Sequence, residues 1–153
     1  MSAAVAVRVV LSEFLAASAP FVALVPAAPV RAAALWYAPT DLQTLHEGGG
    51  DADSPEGRLL GAPPAQVIDL ARAASPVWQV SGPAVPFLIM HGAADESVPA
   101  SQGERLHARL LDAGADSTLV RVEGAGHCFV GHPDPRQLIA QPVAFLAARL
   151  GAS

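Results

Sequence analysis

The stretch that decides the fold is VPFLIMHGAAD, residues Val85–Asp95. It opens with the uncharged apolar run Val85–Met90, which is typical of a strand buried on both faces of a parallel sheet. The run predicts a strand that ends at His91. Asp95 is therefore expected on the loop just past the carboxyl end of this strand, where open α/β sheets bind their ligands.

A helix and a second strand are predicted after this loop. Ser101 and Glu104 fit a capping box, and Gly114 suits the left-handed residue that ends a helix. The β-rich run Thr118–Val122 predicts a strand, and the glycine-rich turn that follows it carries His127. Because strand–helix–strand crossovers are right-handed, both loops are expected at one edge of a parallel sheet.

Asp95 and His127 are residue types that acyl-transfer chemistry pairs. A histidine, with an unperturbed pKa of about 6.5, takes a proton from a hydroxyl nucleophile near neutral pH. A carboxylate on its far ring nitrogen fixes the tautomer and stabilises the imidazolium. The sequence therefore predicts that the two side chains meet. The alternatives are that Asp95 is only a turn or capping residue ahead of the following helix and that His127 is a surface residue in a glycine-rich loop.

Three stretches together resemble the last part of an α/β-hydrolase: Leu35–Leu42, Phe87–Pro99 and Val120–Phe129. The family includes small esterases, feruloyl-esterase-like enzymes and prolyl-oligopeptidase-like peptidases. The resemblance implies an α/β fold, here a partial α/β-hydrolase fold with a three-stranded, mainly parallel sheet flanked by helices. The expected organisation is an N-terminal apolar helical segment over residues 1–29 and the C-terminal portion of a hydrolase domain over residues 30–153.

The resemblance also implies roles for single residues. Asp95 corresponds to the acid and His127 to the base of a Ser-His-Asp triad that acts on a small-molecule ester or a peptide. Trp36, Tyr37 and Asp41 are expected beside the active-site crevice as substrate-binding residues, and Asp41 is the alternative for the acid. Trp36 and Tyr37 could equally be core aromatics at a strand end. No cofactor and no metal are expected.

The family's nucleophile is missing from this sequence. The fold carries it on a G-x-S-x-G elbow that precedes the acid, and none of the serines here has glycine two positions before and two after. One hypothesis is that the chain is the acid- and base-bearing half of an ester or peptide hydrolase, inactive without a complementing N-terminal half. The other is a non-catalytic fragment or pseudoenzyme that acts as a binding module.

The strand predicted at residues 31–37 indicates how this chain could bind a second protein chain. In the family's sheet this strand has a further neighbour, which comes from the half of the fold that the resemblance does not cover. One edge of the strand is therefore expected to be unpaired. Self-association or capture of the complementing half is the prediction.

Composition narrows the partners and the compartment. The net charge is −5 and the nine basic residues are arginines scattered singly, which argues against a nucleic-acid partner. No stretch long enough to span a membrane is free of charge and proline. The single cysteine leaves no internal disulfide, so the chain is predicted to be cytoplasmic. A secretory signal over Met1–Ala19 is the alternative, although Glu13 splits its apolar region.

Several other polar residues invite a role. His91 is expected to be packed and hydrogen-bonded, because it ends a buried strand. Cys128 is expected to be a buried structural thiol rather than a nucleophile activated by the adjacent His127. His127, His132 and Asp134 lack a further well-spaced ligand, which argues against a metal site.

The remaining segments predict helices and connections. Pro64–Ala74 is expected to be a short helix, and Ser75–Trp78 an extended connection. Asp134 suits the cap of a final helix, which Pro142 is expected to kink or divide.

Overall fold

Three parallel strands form the centre of the part of the chain that the computed structural model describes, residues 30–46, 49–82 and 84–151. Helices flank the sheet, which confirms the predicted fold class. The apolar helical segment predicted over residues 1–29 lies outside the described residues. In chain order the elements are β1 (Ala33–Trp36), α1 (Pro55–Leu60), a 3-10 turn (Pro64–Gln66), α2 (Ile68–Ala73), α3 (Pro76–Gln79), β2 (Phe87–Gly92), α4 (Ser101–Asp112), β3 (Ser117–Val122), a 3-10 turn (His127–Phe129) and α5 (Pro135–Leu150).

The two faces of the sheet bury different helices. Leu88 and Met90 of β2 pack in one cluster with Leu138 of α5. Ile89, between them, packs in another cluster with Leu106 of α4. Since successive side chains of a strand point to opposite faces, α4 and α5 lie on opposite sides of the sheet. The loops after β2 and β3 leave the same edge, because both strands run in the same direction.

Helix α4 shows one prediction confirmed and one wrong. Gly114 follows the helix with a φ of 78°, the left-handed conformation expected at its end. The capping box is wrong, because the helix begins at Ser101 and its capping position is Ala100, which makes no side-chain cap. Glu104 instead pairs with Arg121 of β3 at 2.7 Å. The Glu104 carboxylate, which the local pattern assigned to the start of the helix, therefore pairs with a residue distant in the sequence.

The segment between β1 and β2 is divided into short helices. The predicted helix Pro64–Ala74 is a 3-10 turn followed by α2. The extended connection predicted at Ser75–Trp78 is wrong, because α3 forms a helical turn there. Ser75 is fully buried, and its hydroxyl accepts a hydrogen bond from Leu42 N–H at 2.9 Å. This bond ties the start of α3 to the loop after β1, a tertiary contact that the local sequence does not reveal.

Helix α5 begins as predicted and continues through its proline. Asp134 caps it by accepting hydrogen bonds from the backbone N–H groups of Arg136 and Gln137 at 3.0 and 3.3 Å. Pro142 does not divide it, since α5 is one helix from Pro135 to Leu150. Neither α5 nor any other helix of the described residues is both long and apolar enough to cross a membrane.

Strand β1 forms one edge of the sheet in the described part of the chain. It is shorter than the predicted run at residues 31–37 and pairs there with β2 alone, from Ala33 opposite Phe87 to Trp36 opposite Met90. Leu35 of β1 lines an apolar groove of about 580 Å³ on the α4 side of the sheet. We call it the edge groove; Leu35, Val80, Phe87, Leu106 and Leu110 are among the residues that line it.

Candidate active site

Asp95 lies on the loop after β2, which we call the acid loop (residues 93–100). The backbone N–H groups of Ser97 and Val98 donate to Asp95 Oδ1 at 3.0 and 2.9 Å. Aspartate favours such turns because its short side chain can bond to the backbone of the following residues. The Asp95 side chain is fully buried. With Oδ1 held by its own loop, Oδ2 is left for partners outside the loop.

His127 lies on the loop after β3, which we call the base loop (residues 123–130). The two residues that follow it, Cys128 and Phe129, have φ values of 55° and 58°. Left-handed backbone costs a residue other than glycine about 1 kcal/mol or more, so this turn needs support from elsewhere. Phe129 is buried in the core, and its ring lies 5.6 Å from the ring of Trp36 and 5.2 Å from that of Tyr37. This packing holds the strained turn.

The two loops bring the acid and the base into contact. His127 Nδ1 lies 2.9 Å from Asp95 Oδ2. A carboxylate at this nitrogen stabilises the tautomer that carries a proton on Nδ1, which leaves a lone pair on Nε2. The His127 side chain is 36% exposed, and no residue of the described ranges makes a hydrogen bond to its Nε2. In that tautomer, the nitrogen that carries the lone pair is therefore the one without a hydrogen bond in the described part of the chain.

A glycine and two backbone bonds allow the loops to approach so closely. Ala94 N–H donates to Ala125 O at 3.0 Å, and Ala93 N–H donates to Val122 O at 2.9 Å. Gly92 precedes this contact at the end of β2, and a Cβ atom there would collide with the carbonyl oxygens of the base loop. The distance between Asp95 and His127 thus depends on a position without a side chain.

Trp36 and Tyr37, two of the expected substrate-binding residues, lie beside the base loop. The ring of Tyr37 packs edge-on against His127, with 4.9 Å between ring centroids. Tyr37 has a φ of 40°, so the chain turns sharply as it leaves β1. Trp36 contacts Phe129 and Tyr37 and packs against the core. Of the two, Tyr37 is the residue in direct contact with the base.

Asp41 is engaged elsewhere. Its buried carboxylate lies 3.5 Å from the indole nitrogen of Trp78 and 3.8 Å from the guanidinium of Arg105. The carboxylate that bonds to His127 is that of Asp95. Asp41, the alternative for the acid, thus has other partners, and the acid role itself stays a prediction.

Cys128 and His132 are two other candidate residues near His127 in the sequence. Cys128 is exposed, so the prediction of a buried thiol is wrong. The left-handed turn that buries Phe129 directs its neighbour outward. His132 Nδ1 accepts a hydrogen bond from Asp134 N–H at 3.1 Å. Within the described residues, no group of three or more His, Cys, Asp or Glu side chains is arranged to hold a metal ion.

Gln102 is a positioning residue that sequence patterns did not reveal. It is fully buried in the first turn of α4, and its Oε1 accepts hydrogen bonds from the N–H groups of Thr40 and Asp41 at 2.9 and 2.8 Å. Its Nε2 donates to Thr44 Oγ1 at 3.2 Å. Gln102 therefore fastens the loop after β1 to the helix that follows the acid loop. A glutamine in a helix has no local signal for such partners, which lie about 60 residues earlier.

The three parallel strands with helices on both faces, and the contact between Asp95 and His127 at the strand ends, are those of a partial α/β-hydrolase fold. Comparison with known families agrees with this class. Residues 22–110, which are more than half of the chain, match the BD-FAE family. The chain belongs to the BD-FAE family.

Individual proteins are similar to parts of the chain. Esterase LipQ of Mycobacterium tuberculosis (strain ATCC 25618 / H37Rv) is 39% identical over 61 residues, which are 39% of this chain and 14% of LipQ. A solved structure described as a truncated form of carbohydrate esterase from gut microbiota is 30% identical, with a TM-score of 0.71 over 78% of this chain and 42% of that one. A puromycin-hydrolyzing peptidase of Mycobacterium tuberculosis shares the fold, at 24% identity and a TM-score of 0.66 over 80% of this chain and 19% of that one. The chain thus spans less than half the length of each of these relatives.

Proposed function

We propose that Asp95 and His127 are the acid and base of a carboxylic ester hydrolase that works by Ser-His-Asp acyl transfer. The hydrogen bond of 2.9 Å between His127 Nδ1 and Asp95 Oδ2 carries this proposal, together with the partly exposed ring whose Nε2 has no hydrogen bond in the described ranges. The serine is supplied by a segment outside these 153 residues. Residues 30–153 act as the C-terminal portion of the hydrolase domain, and residues 1–29 as a separate segment.

The chemistry follows from the placement of the two ring nitrogens. His127 Nε2 takes the proton of the serine hydroxyl as its oxygen attacks the ester carbonyl carbon, and the imidazolium then gives that proton to the departing alcohol. Water attacks the acyl-enzyme by the same route and regenerates the serine. Asp95 remains ionised and stabilises the imidazolium in both steps. Tyr37, whose ring lies 4.9 Å from the imidazole between centroids, is proposed to limit where the acyl group can lie.

An ester is the favoured substrate, and a peptide is the alternative. LipQ and the gut carbohydrate esterase, at 39% and 30% identity, are both described as esterases. The peptidase shares only the fold with this chain. Trp36 and Asp41 are proposed, with Tyr37, as substrate-binding residues beside the site.

The test has two stages. The purified chain is first incubated with a fluorophosphonate probe and a short-chain aryl ester; we expect no labelling and no burst, because loss of a triad serine costs about 10⁶ in turnover. The chain is then co-expressed with the elbow-bearing N-terminal portion of a carbohydrate esterase. Ester hydrolysis should appear and should be abolished by His127→Gln, whereas His107→Gln, remote from the acid loop, should leave it intact.

Two results would contradict the proposal. Stoichiometric labelling of the chain alone would show that it holds a competent nucleophile. Hydrolysis by the co-expressed pair that survives both His127→Gln and Asp95→Ala would show that these residues do not carry the reaction.

A second candidate function is that of an interaction module, and the edge of the sheet favours it. Strand β1 pairs with β2 alone in the described part of the chain, and the apolar edge groove lies beside it. A strand edge with unpaired backbone groups is a template for another strand. The occupant proposed here is the complementing N-terminal half, and a second copy of the chain is the alternative.

Light scattering and amide exchange test this candidate. We expect a dimer, or a stable complex with the co-expressed half, in which the amides of Ala34 and Trp36 exchange slowly, because these alternate with the amides of Ala33 and Tyr37 that already donate to β2. A monomer whose amides at Ala34 and Trp36 are already well protected would contradict it.

A further inference from the structure

His91, near the end of β2, is buried beneath the acid loop. Its side chain is 0% exposed. Its Nε2 lies 2.8 Å from the carbonyl oxygen of Val98 and 3.5 Å from Asp95 Oδ2. A carbonyl oxygen only accepts hydrogen bonds, so this nitrogen carries a proton and donates it to Val98. The side chain therefore places a hydrogen-bond donor between the far end of the acid loop and the acid itself.

Val98 is held from two directions. Its N–H donates to Asp95 Oδ1 at 2.9 Å, and its carbonyl oxygen accepts from His91. The acid loop is thereby closed into a ring of contacts that runs from the strand through His91 and Val98 to Asp95. Rotation of the Asp95 carboxylate would break the bonds at Oδ1 and move Oδ2 away from His127.

The other nitrogen of the ring shows that packing alone does not explain this histidine. His91 Nδ1 is buried and has no hydrogen-bond partner. It lies against α4 at Gly103, where a Cβ atom would come within 3.0 Å of it. An apolar side chain of similar volume would fill this space without leaving a buried acceptor unpaired. The imidazole is therefore distinguished from such a side chain by the donor at Nε2.

We propose that His91 is a positioning residue for the acid: its Nε2–H holds Val98 and borders Asp95 Oδ2, so that the carboxylate faces His127 Nδ1. This inference rests on the proposed function, in which Asp95 orients the catalytic base. The donor fixes the rotation of the Asp95 carboxyl group, and through it the His127 tautomer that leaves Nε2 free to accept a proton.

The test compares two substitutions of His91 in the full chain. His91→Gln places an amide donor near the position of Nε2, whereas His91→Met keeps the bulk without a donor. The matched control is His107→Met, which removes the bond at 2.9 Å between His107 Nδ1 and Ser117 Oγ, one helical turn beyond Gly103 and at the start of β3. The first readout is the ¹⁵N spectrum of the histidine rings, which reports the tautomer of His127 and the exchange of its Nδ1 proton.

The expected result is specific to a positioning role. His91→Met should convert His127 from a single tautomer to a mixture and speed the exchange of its Nδ1 proton. His91→Gln should restore most of the signal, and His107→Met should leave it unchanged. In the chain completed by an elbow-bearing half, His91→Met should lower kcat about tenfold to a hundredfold with little change in KM, since displacement of a catalytic group by about 1 Å costs about that much.

Each outcome decides between positioning and packing. A folded His91→Met variant with an unchanged His127 tautomer would overturn the proposal. If neither His91 variant folds, Gly103→Ala decides, because its Cβ displaces His91 while retaining it; an unchanged His127 spectrum in that variant would equally overturn the proposal. If the tautomer shifts as expected but the completed chain hydrolyses no ester, the positioning role stands and the proposed function fails.

Discussion

The acid loop and the base loop present their side chains by different means. Asp95 is held by N–H groups two and three residues further along its own loop. His127 is followed by two left-handed residues that depend on the burial of Phe129 beneath Trp36 and Tyr37. The first arrangement is local and the second depends on the tertiary fold. A local turn can form wherever the sequence permits it, whereas the base loop exists only when β1 and the core are in place.

The largest effect is expected from removing the packing under the base loop. Phe129→Ala should lower the free energy of unfolding by about 3–5 kcal/mol, because it empties a core position and removes the packing that holds the left-handed turn. Urea denaturation measures this loss. The control is Val130→Ala, whose side chain is 73% exposed and whose effect should stay within about 0.5 kcal/mol. Equal effects of the two substitutions would show that packing does not hold the base loop.

Gly92→Ala should have the next largest effect, because it prevents the close contact between the acid loop and the base loop. The added methyl group meets the carbonyl oxygens of Ala125 and Gly126, and the loops must separate. We expect a loss of about 1–3 kcal/mol in the free energy of unfolding, with loss of the His127 Nδ1 proton signal. Gly82→Ala is the matched control, since its Cβ meets no atom within 4 Å. If both variants keep the histidine signal, the close approach is not needed for the acid–base contact.

Asp95→Asn separates the local bonds of the acid loop from its contact with the base. The amide oxygen can still accept hydrogen bonds from the N–H groups of Ser97 and Val98. We therefore expect the free energy of unfolding to fall by only about 1 kcal/mol, because the partial exposure of His127 weakens the lost interaction. Thermal or urea unfolding measures this change. In the completed hydrolase, turnover should fall about 10⁴-fold, because the amide group favours the wrong His127 tautomer. Asp134→Asn, which preserves a helix cap, should alter neither quantity. Full activity in Asp95→Asn would remove the basis for the acid role.

The smallest effect is expected at the helix that follows the acid loop. Ser101→Ala should change the free energy of unfolding by no more than about 0.5 kcal/mol, because Ser101 lies inside α4 and does not cap it. Ser54→Ala should cost about 1 kcal/mol, since Ser54 Oγ accepts from Gly57 N–H at 3.1 Å and caps α1. Chemical denaturation of both variants checks the pair. A larger loss at Ser101 than at Ser54 would show that the acid loop depends on a cap.

Local patterns accounted for much of the sheet and its helix ends. The apolar run before His91 became β2, Gly114 took the left-handed conformation, and Asp134 capped α5. Each of these depends on residues within a few positions of one another, so the sequence displays both partners. The capping box at Ser101 failed for the opposite reason, because Glu104 found a partner in Arg121 on β3.

The sequence predicted which residues form the candidate site, but not the contacts that hold them in place. Asp95 and His127 were placed at strand ends by the order of strands, helix and glycine-rich turn. The contacts that hold them involve residues whose roles the local sequence does not reveal, among them the donor of His91 and the buried amide of Gln102. Cys128 shows the same limit, since its exposure follows from the burial of the residue beside it.

By itself, the sequence determined which residues leave the carboxyl ends of β2 and β3, because strand periodicity and turn-forming residues act over a few positions. Three features were decided by the tertiary structure alone. Gly92 permits the two loops to touch, and the burial of Phe129 stabilises the left-handed turn after His127. In addition, β1 borders the edge groove. These outcomes depend on atoms brought together from distant parts of the chain, where close packing and backbone collisions are settled only after the sheet has formed.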